Sequence, residues 1–273
     1  MIIQTTKTGR YFAIKMDEHT DLSAQFARAF GNDAFEGVEP RDIMLDVIAN
    51  HDKGWADFDD SPKTDPRTGL PYNLVQTPGE YIVKTSAASP DFNEARHPYG
   101  GLISSMHSWG LYNGRYGISD LVLIDQISAG ERPLADKMLA GELERQKDLK
   151  ARLARDPAAA RWVEPAHLTQ NYKQLQFFDT LALYFNRADE GARGKQTFRS
   201  VPVDGQKDAD VVISPAQPGV YSLAPYPFAK SPAEFSFSGR YIEAAKPGEE
   251  RDWQPLLKNA KVERQHFTLV AGA

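Results

Sequence analysis

The sequence predicts a mainly α fold: a helical bundle with an N-terminal β-hairpin and a small C-terminal β-rich unit. Three observations predict it. Apolar residues recur at helical spacing in most segments between residues 17 and 187. The segment "NYKQLQFFDTLALYFNR", 171–187, is the most apolar helix in the chain. After "DEGARGKQ" the composition changes to short runs such as "DVVISP" and "EFSFSGRYIEA", which read as strands between turns. The boundaries that follow are 1–190 for the helical domain with its hairpin, and 195–273 for a β unit packed on it.

Residues 1–16 supply the hairpin, "IIQTT" and "YFAIKM" around Lys7-Thr8-Gly9. A first helix starts near Asp17, a suitable N-cap, and stops by Gly31, with Leu22, Phe26, Ala29 and Phe30 on one face. Pro40 marks the first turn of a second helix, striped by Ile43, Met44, Val47 and Ile48. Residues 53–76 read as a long loop whose Trp55, Phe58 and Tyr72 suit a cover over the core. "TPGE" at 77–80 has the pattern of a capping box and opens a short helix through about Ala88. Further helices are expected from Tyr99 to Leu111, over about 133–155, and over 171–187. The β unit is built from "TFRSVPV", "DVVISP", "GVYSLAPYPF", "EFSFSGRYIEA" and "ERQHFTLVA".

Composition narrows the chemistry. The chain of 273 residues carries a net charge of −5, which argues against a nucleic-acid polymer as partner. It has no cysteine, so disulfides, thiolate metal sites and a Cys nucleophile are excluded. A metal would be held by His, Asp, Glu or water, a set that suits Fe, Mn, Mg or Zn. No signal-peptide core opens the sequence and no apolar run could span a bilayer, so a cytoplasmic location away from membranes is expected. No P-loop, nucleophile elbow or dinucleotide fingerprint offers another chemistry.

The faces of the helices carry the strongest signal. Positions three, four and seven apart share a side. His19 lies three before Leu22 and seven before Phe26. His51 lies four after Val47, and Asp52 four after Ile48, so both extend a buried stripe. Asp179 lies four after Leu175 inside "LQFFDTLALYF", where a carboxylate without a partner would be costly. His107 lies four after Ile103 on another helix. Taken singly, His19 or His107 reads more often as a satisfied core residue, Asp179 equally as a loop cap or an Arg partner, and His51-Asp52 as a helix end before Gly54. Together, single His and Asp side chains aimed from several helices at a shared core make a divalent metal site. His107, Asp52 and Lys53 are the candidates for catalytic roles at that site. His97, His167 and His266 fit the pattern poorly. Asp57, Asp59 and Asp60 read as a solvated acidic loop, with a second metal site or a general acid as the alternative. Lys53, Arg96 and Arg115 are possible phosphate contacts.

The order His19 … His51-Asp52 … Asp179 resembles the HD-domain superfamily of metal-dependent phosphohydrolases. Nearly the whole chain also resembles a bacterial family of uncharacterised HD-like proteins. Its landmarks here are "DEHTDLSAQFARAFG", "NHDKGWADFDDSP", "SMHSWGLY", "LQFFDTLALYF" and "LAPYPFA". The resemblance implies an all-helical catalytic domain, a divalent ion held by His19, His51, Asp52 and Asp179, and a small phosphorylated or nucleotide-like substrate. Many HD enzymes read His-Asp-x-Gly-Lys; this chain reads His51-Asp52-Lys53-Gly54-Trp55, which displaces the lysine by two positions. Three readings follow: a phosphohydrolase with one ion, or two if His107 also ligates; a dinuclear iron oxygenase on the same scaffold; and a non-catalytic binding module that keeps the metal as structure.

Overall fold

The computed structural model describes residues 1–6, 9–246, 249 and 251–272. Two short strands, β1 (Ile2–Thr5) and β2 (Tyr11–Ile14), form the expected antiparallel hairpin; Lys7 and Thr8 of its turn lie outside the described residues. Helices α1 (Met16–Ala29) and α2 (Arg41–Ala49) follow. The segment read as one long loop contains a 3-10 turn (Lys53–Trp55), the short helix α3 (Ala56–Asp60) and a two-residue strand pair, β3 (Thr64–Asp65) with β4 (Leu70–Pro71). Trp55 and Phe58 are buried with rings 5.7 Å apart, so the aromatics do cover the core.

Then come α4 (Gly79–Arg96), α5 (Pro98–Tyr112), a single turn α6 (Gly114–Gly117), α7 (Arg132–Leu153) and α8 (Pro165–Arg187). α4 runs a full two turns beyond the expected Ala88, with Pro90 inside it. Its first turn is capped from a distance, because Glu80 N–H donates to the Glu131 carboxylate at 2.9 Å. Strands β5 (Gln196–Pro202), β6 (Asp208–Gln217), β7 (Val220–Ala224) and β8 (Ala233–Ile242), helix α9 (Trp253–Asn259) and strand β9 (Val262–Ala271) complete the chain.

The strands fall where the alternating pattern places them, but the mainly α fold class is wrong. About 50% of residues are helical and 21% are in strands. Seven of the strands form one curled mixed sheet in the order β1-β2-β8-β9-β7-β6-β5. β2 pairs antiparallel with β8, Tyr11 opposite Ile242, so both chain ends build the same sheet. β7 and β9 pair parallel. The hairpin is therefore not an appendage to a helical bundle, and the C-terminal strands are not a small accessory.

One core explains this. α1 and α8 pack on each other and on the sheet, while α4, α5 and α7 pack among themselves on the far side. Phe185 of α8 stacks on Phe267 of β9 at 3.7 Å between centroids, and Phe26 of α1 meets Phe235 of β8 at 4.8 Å. Aromatic side chains bury large apolar areas, so these contacts fuse helices and sheet into one hydrophobic unit. Gly239 in β8 permits the β2–β8 approach: a Cβ there would lie 2.4 Å from the Phe12 ring. Gly239→Ala should cost about 1–3 kcal/mol by overpacking, measured as a lower urea midpoint at unchanged slope. Among the described residues, no helix is long and apolar enough to cross a membrane.

Candidate metal centre

His19 points from the first turns of α1 into the interface with α8 and is fully buried. Glu18 fixes that helix start by accepting from Lys15 N–H at 2.9 Å. His19 Nδ1–H donates to Asn186 Oδ1 at 2.8 Å, which turns Nε2 toward α8. That nitrogen faces Asp179 Oδ1 at 3.2 Å.

His51 and Asp52 do not extend α2 itself, which ends at Ala49; they lie in the turn just beyond it. The turn is held against α4 on two sides. Asn93 Nδ2–H donates to Asn50 O at 3.0 Å, and Gly54 N–H donates to Ser89 Oγ at 2.9 Å. Only glycine fits at 54, because a Cβ would lie 2.1 Å from Thr85 O. His51 Nδ1–H donates to Ile48 O at 2.7 Å, freeing Nε2. This Nε2 is buried with no hydrogen-bond partner. It lies 3.6 Å from Asp52 Oδ2 and 3.9 Å from Asp179 Oδ1.

The ligand atoms of these side chains and of His107 form two overlapping triads that share His51. Ligand atoms around one ion at roughly 2.0–2.2 Å lie roughly 3–4 Å from one another, the spacing seen here. His19, His51 and Asp179 have their ligand atoms within 4.8 Å of one another, as do His51, Asp52 and His107. These buried groups could hold a metal ion. His19 and His51 each have Nδ1–H engaged by a fixed oxygen acceptor, which leaves Nε2 as the nitrogen a metal would take.

The electrostatics of the cluster are those of closely packed, opposing charges. Burial and the charge of Asp179 push the Asp52 carboxyl up, and His51 offsets only part of this. Burial acts on Asp179 in the same sense, but the Arg115 guanidinium and the His19 hydrogen bond outweigh it and hold its carboxyl well below the usual range. Burial opposes charge on His19, yet Asp179 and Asp52 raise its pKa above the ordinary value. Two carboxylates and two imidazoles lie close together, and Asp179 has a permanent cation beside it.

That cation is Arg115, whose Nη2 lies 3.0 Å from Asp179 Oδ2. The sequence reading offered Arg115 as a phosphate contact; the structure pairs it with a prospective metal ligand. It comes from α6, where Gly114, Arg115, Tyr116 and Gly117 have φ of 61°, 51°, 57° and 88°. The left-handed conformation costs a non-glycine residue about 1–2 kcal/mol, so this turn is strained, as segments at functional sites often are. Gly-Arg-Tyr-Gly, with glycine on both sides, is the sequence signal that could have revealed it.

His107 joins the cluster from α5, its Nε2 3.9 Å from Asp52 Oδ1. Arg115 Nη1–H donates to Gln176 Oε1 at 2.6 Å, and an arginine can only donate. The Gln176 amide nitrogen must therefore face His107, and it donates to Nδ1 at 2.9 Å. His107 accordingly carries its proton on Nε2. Burial, with His51 next, lowers its pKa well below the ordinary value, consistent with a neutral ring.

Other candidates are placed elsewhere. Lys53 is exposed, with Nζ 5.8 Å from the Phe92 ring, and lines the same small cavity as Asp52. Arg96 pairs with Asp46. His97 caps α5, its Nδ1 accepting from Tyr99 N–H. His167 Nε2–H donates to Glu39 O, and His266 is exposed on β9. Asp59 accepts from Met16 N–H and Asp60 pairs with Lys15, so the acidic loop anchors the start of α1. Asn186 and Gln176, which orient the two histidines, escaped the sequence reading. Their positions seven after and three before Asp179 put them on its side of α8.

Residues 1–244 match the family described as Protein of unknown function (DUF3891). No curated protein and no solved structure matches the chain.

Proposed function

The chain belongs to the DUF3891 family, and from the geometry of its centre we propose a metal-dependent hydrolase of a small phosphorylated or nucleotide-like substrate. The observation that carries the reading is the partnerless His51 Nε2, buried in front of two carboxylates and a second imidazole. His19, His51, Asp52 and Asp179 would hold one divalent ion of the Fe, Mn, Mg or Zn type. Such an ion supplies Lewis acidity and lowers the pKa of bound water. Asn186 and Ile48 O fix the two histidine rings, and Arg115 fixes Asp179.

His107 acts as a neutral donor. Its Nε2–H faces the Asp52 side of the centre, where it can hydrogen-bond an oxygen that gains negative charge during the reaction. The choice of phosphoester chemistry rests on the order of the candidate ligands, which is similar to that of HD phosphohydrolases, although the HD-like helical bundle is not part of this proposal. A dinuclear oxygenase would need His107 Nε2 as a ligand, and the Gln176 amide opposes that tautomer. The cytoplasmic setting belongs to the same proposal.

Elemental analysis of protein grown with varied metals, then a phosphoester and nucleotide screen with Mn, Mg, Fe and Zn, tests the reading. Metal-bound protein without turnover on any phosphoester would favour a binding module. His107→Ala should retain the parent metal content while turnover falls roughly 10²–10³-fold. Loss of half the metal in that variant would favour the dinuclear alternative.

A further inference from the structure

Two openings of opposite charge flank the centre. On the Asp52 side is a small cavity of about 210 Å³ whose lining includes Asp17, Asp21, Asp52, Asp59 and Asp60, against Lys15 and Lys53. On the Asp179 side is a cleft of about 540 Å³ between α8, α6 and β5. Arg115, Lys173, Arg187, Arg193, Lys195 and Arg199 line it, and Asp120 is the single carboxylate in that lining. The chain as a whole carries −5, so this concentration of positive charge is local.

Part of that charge is already neutralised. Arg115 pairs with Asp179, Lys173 with Asp208, and Arg199 with Asp120. The rest is not. Arg187 and Lys195 have no ion-pair or hydrogen-bond partner among the described residues. Arg193 donates to neutral acceptors, the Ala188 and Phe185 carbonyls and the Tyr221 hydroxyl. Arg193 is also buried over the Phe185, Tyr221 and Phe237 rings, so Arg187, which feels the Asp179 charge, and Lys195 are the cations free to meet a ligand in a cleft of a size that suits a small one.

The walls are purpose-shaped. Lys173, Gln176, Thr180 and Arg187 recur at three-, four- and seven-residue spacing, so one face of α8 lines the cleft while Asp179 beside it faces the centre. Opposite, β5 carries an irregularity between Phe198 and Val201, with Ser200 at φ 55°. Bulges of this kind re-aim side chains at site rims. The strained α6 turn supplies Arg115, which touches the centre through Asp179 and the cleft through its own exposed side.

We infer that the cleft lined by Arg187, Lys195 and Arg193 is the anion subsite of this protein, and that it binds the phosphate groups of a small polyphosphorylated substrate beside the metal centre. The substrate assignment rests on the hydrolase reading; the anion binding does not. A phosphate anion is repelled from the acidic opening and attracted to the basic one, so the two openings separate the routes of cation and anion. Arg115 and Gln176 form the shared wall.

Isothermal titration of the metal-loaded protein with inorganic pyrophosphate tests the inference. The parent should bind it, more weakly as salt rises. Arg187→Ala/Lys195→Ala changes two exposed side chains and should weaken that affinity at least tenfold, with parent metal content and thermal midpoint. Equal affinity in parent and double variant, or no binding by metal-loaded parent, overturns the cleft assignment and leaves the metal centre intact. If the protein holds no metal yet binds pyrophosphate through Arg187 and Lys195, the hydrolase reading fails and the anion subsite stands.

Discussion

Asp179→Ala should destabilise the metal-free fold by about 3–5 kcal/mol, the cost of removing one partner from a buried ion pair. The carboxylate meets Arg115 at 3.0 Å and His19 at 3.2 Å, both largely out of water. Without it, Arg115 keeps a guanidinium whose remaining partner among the described residues is Gln176, within a left-handed turn that is already strained. Chemical denaturation of the variant measures the loss. Arg115→Ala alone should also destabilise, but the double variant should cost clearly less than the sum, because each single change strands the other charge. A loss below about 1 kcal/mol for Asp179→Ala would mean that water reaches the pair and that the centre is not a dry site.

The second large effect separates ligation from folding. His51→Ala should weaken metal affinity roughly a hundredfold or more, since even residues that merely orient a ligand are worth 10–100-fold. Its cost to the metal-free fold should be smaller, about 1–3 kcal/mol, from a cavity and the lost bond to Ile48 O. Nε2 contributes nothing to that fold, because it has no partner. A saturating ion at about a hundred times its Kd should add about 2.7 kcal/mol to the parent and almost nothing to the variant. Thermal melts with and without metal give both numbers. Equal metal-dependent stabilisation in parent and His51→Ala would remove His51 from the ligand set.

The helices were legible because their signal is local. The stripes of α1, α5 and α7 are read within a few turns, and their ends fall within a few residues of the pattern. The sheet was not, because its defining pair joins Tyr11 to Ile242 and no local spacing carries that information. Phe26 and Phe185 misled for the same reason. On a helical stripe they look like helix-packing residues, and they do meet each other at 6.2 Å, but they also pack against Phe235 and Phe267 of the sheet. The strands themselves alternate clearly, so what the sequence hid was their assembly.

The candidate centre was more legible than the fold. A His or Asp on an apolar helix face is a local anomaly, and His19, His51, Asp52, His107 and Asp179 do converge. The residues that decide their chemistry were hidden. Asn186 and Gln176 are ordinary polar side chains in a helix until their acceptors and donors are known. Lys53 was proposed by analogy of position and is an exposed side chain at the rim of the Asp52 cavity.

Anomalous diffraction from crystals of the metal-loaded protein, collected across the Mn, Fe and Zn edges, tests the central claim most directly. One peak is expected, roughly 2.0–2.2 Å from His19 Nε2, His51 Nε2, Asp179 Oδ1 and an Asp52 oxygen, with His107 Nε2 outside the coordination sphere. A peak liganded by His107, two peaks bridged by Asp52, or no peak at saturating metal would contradict the account.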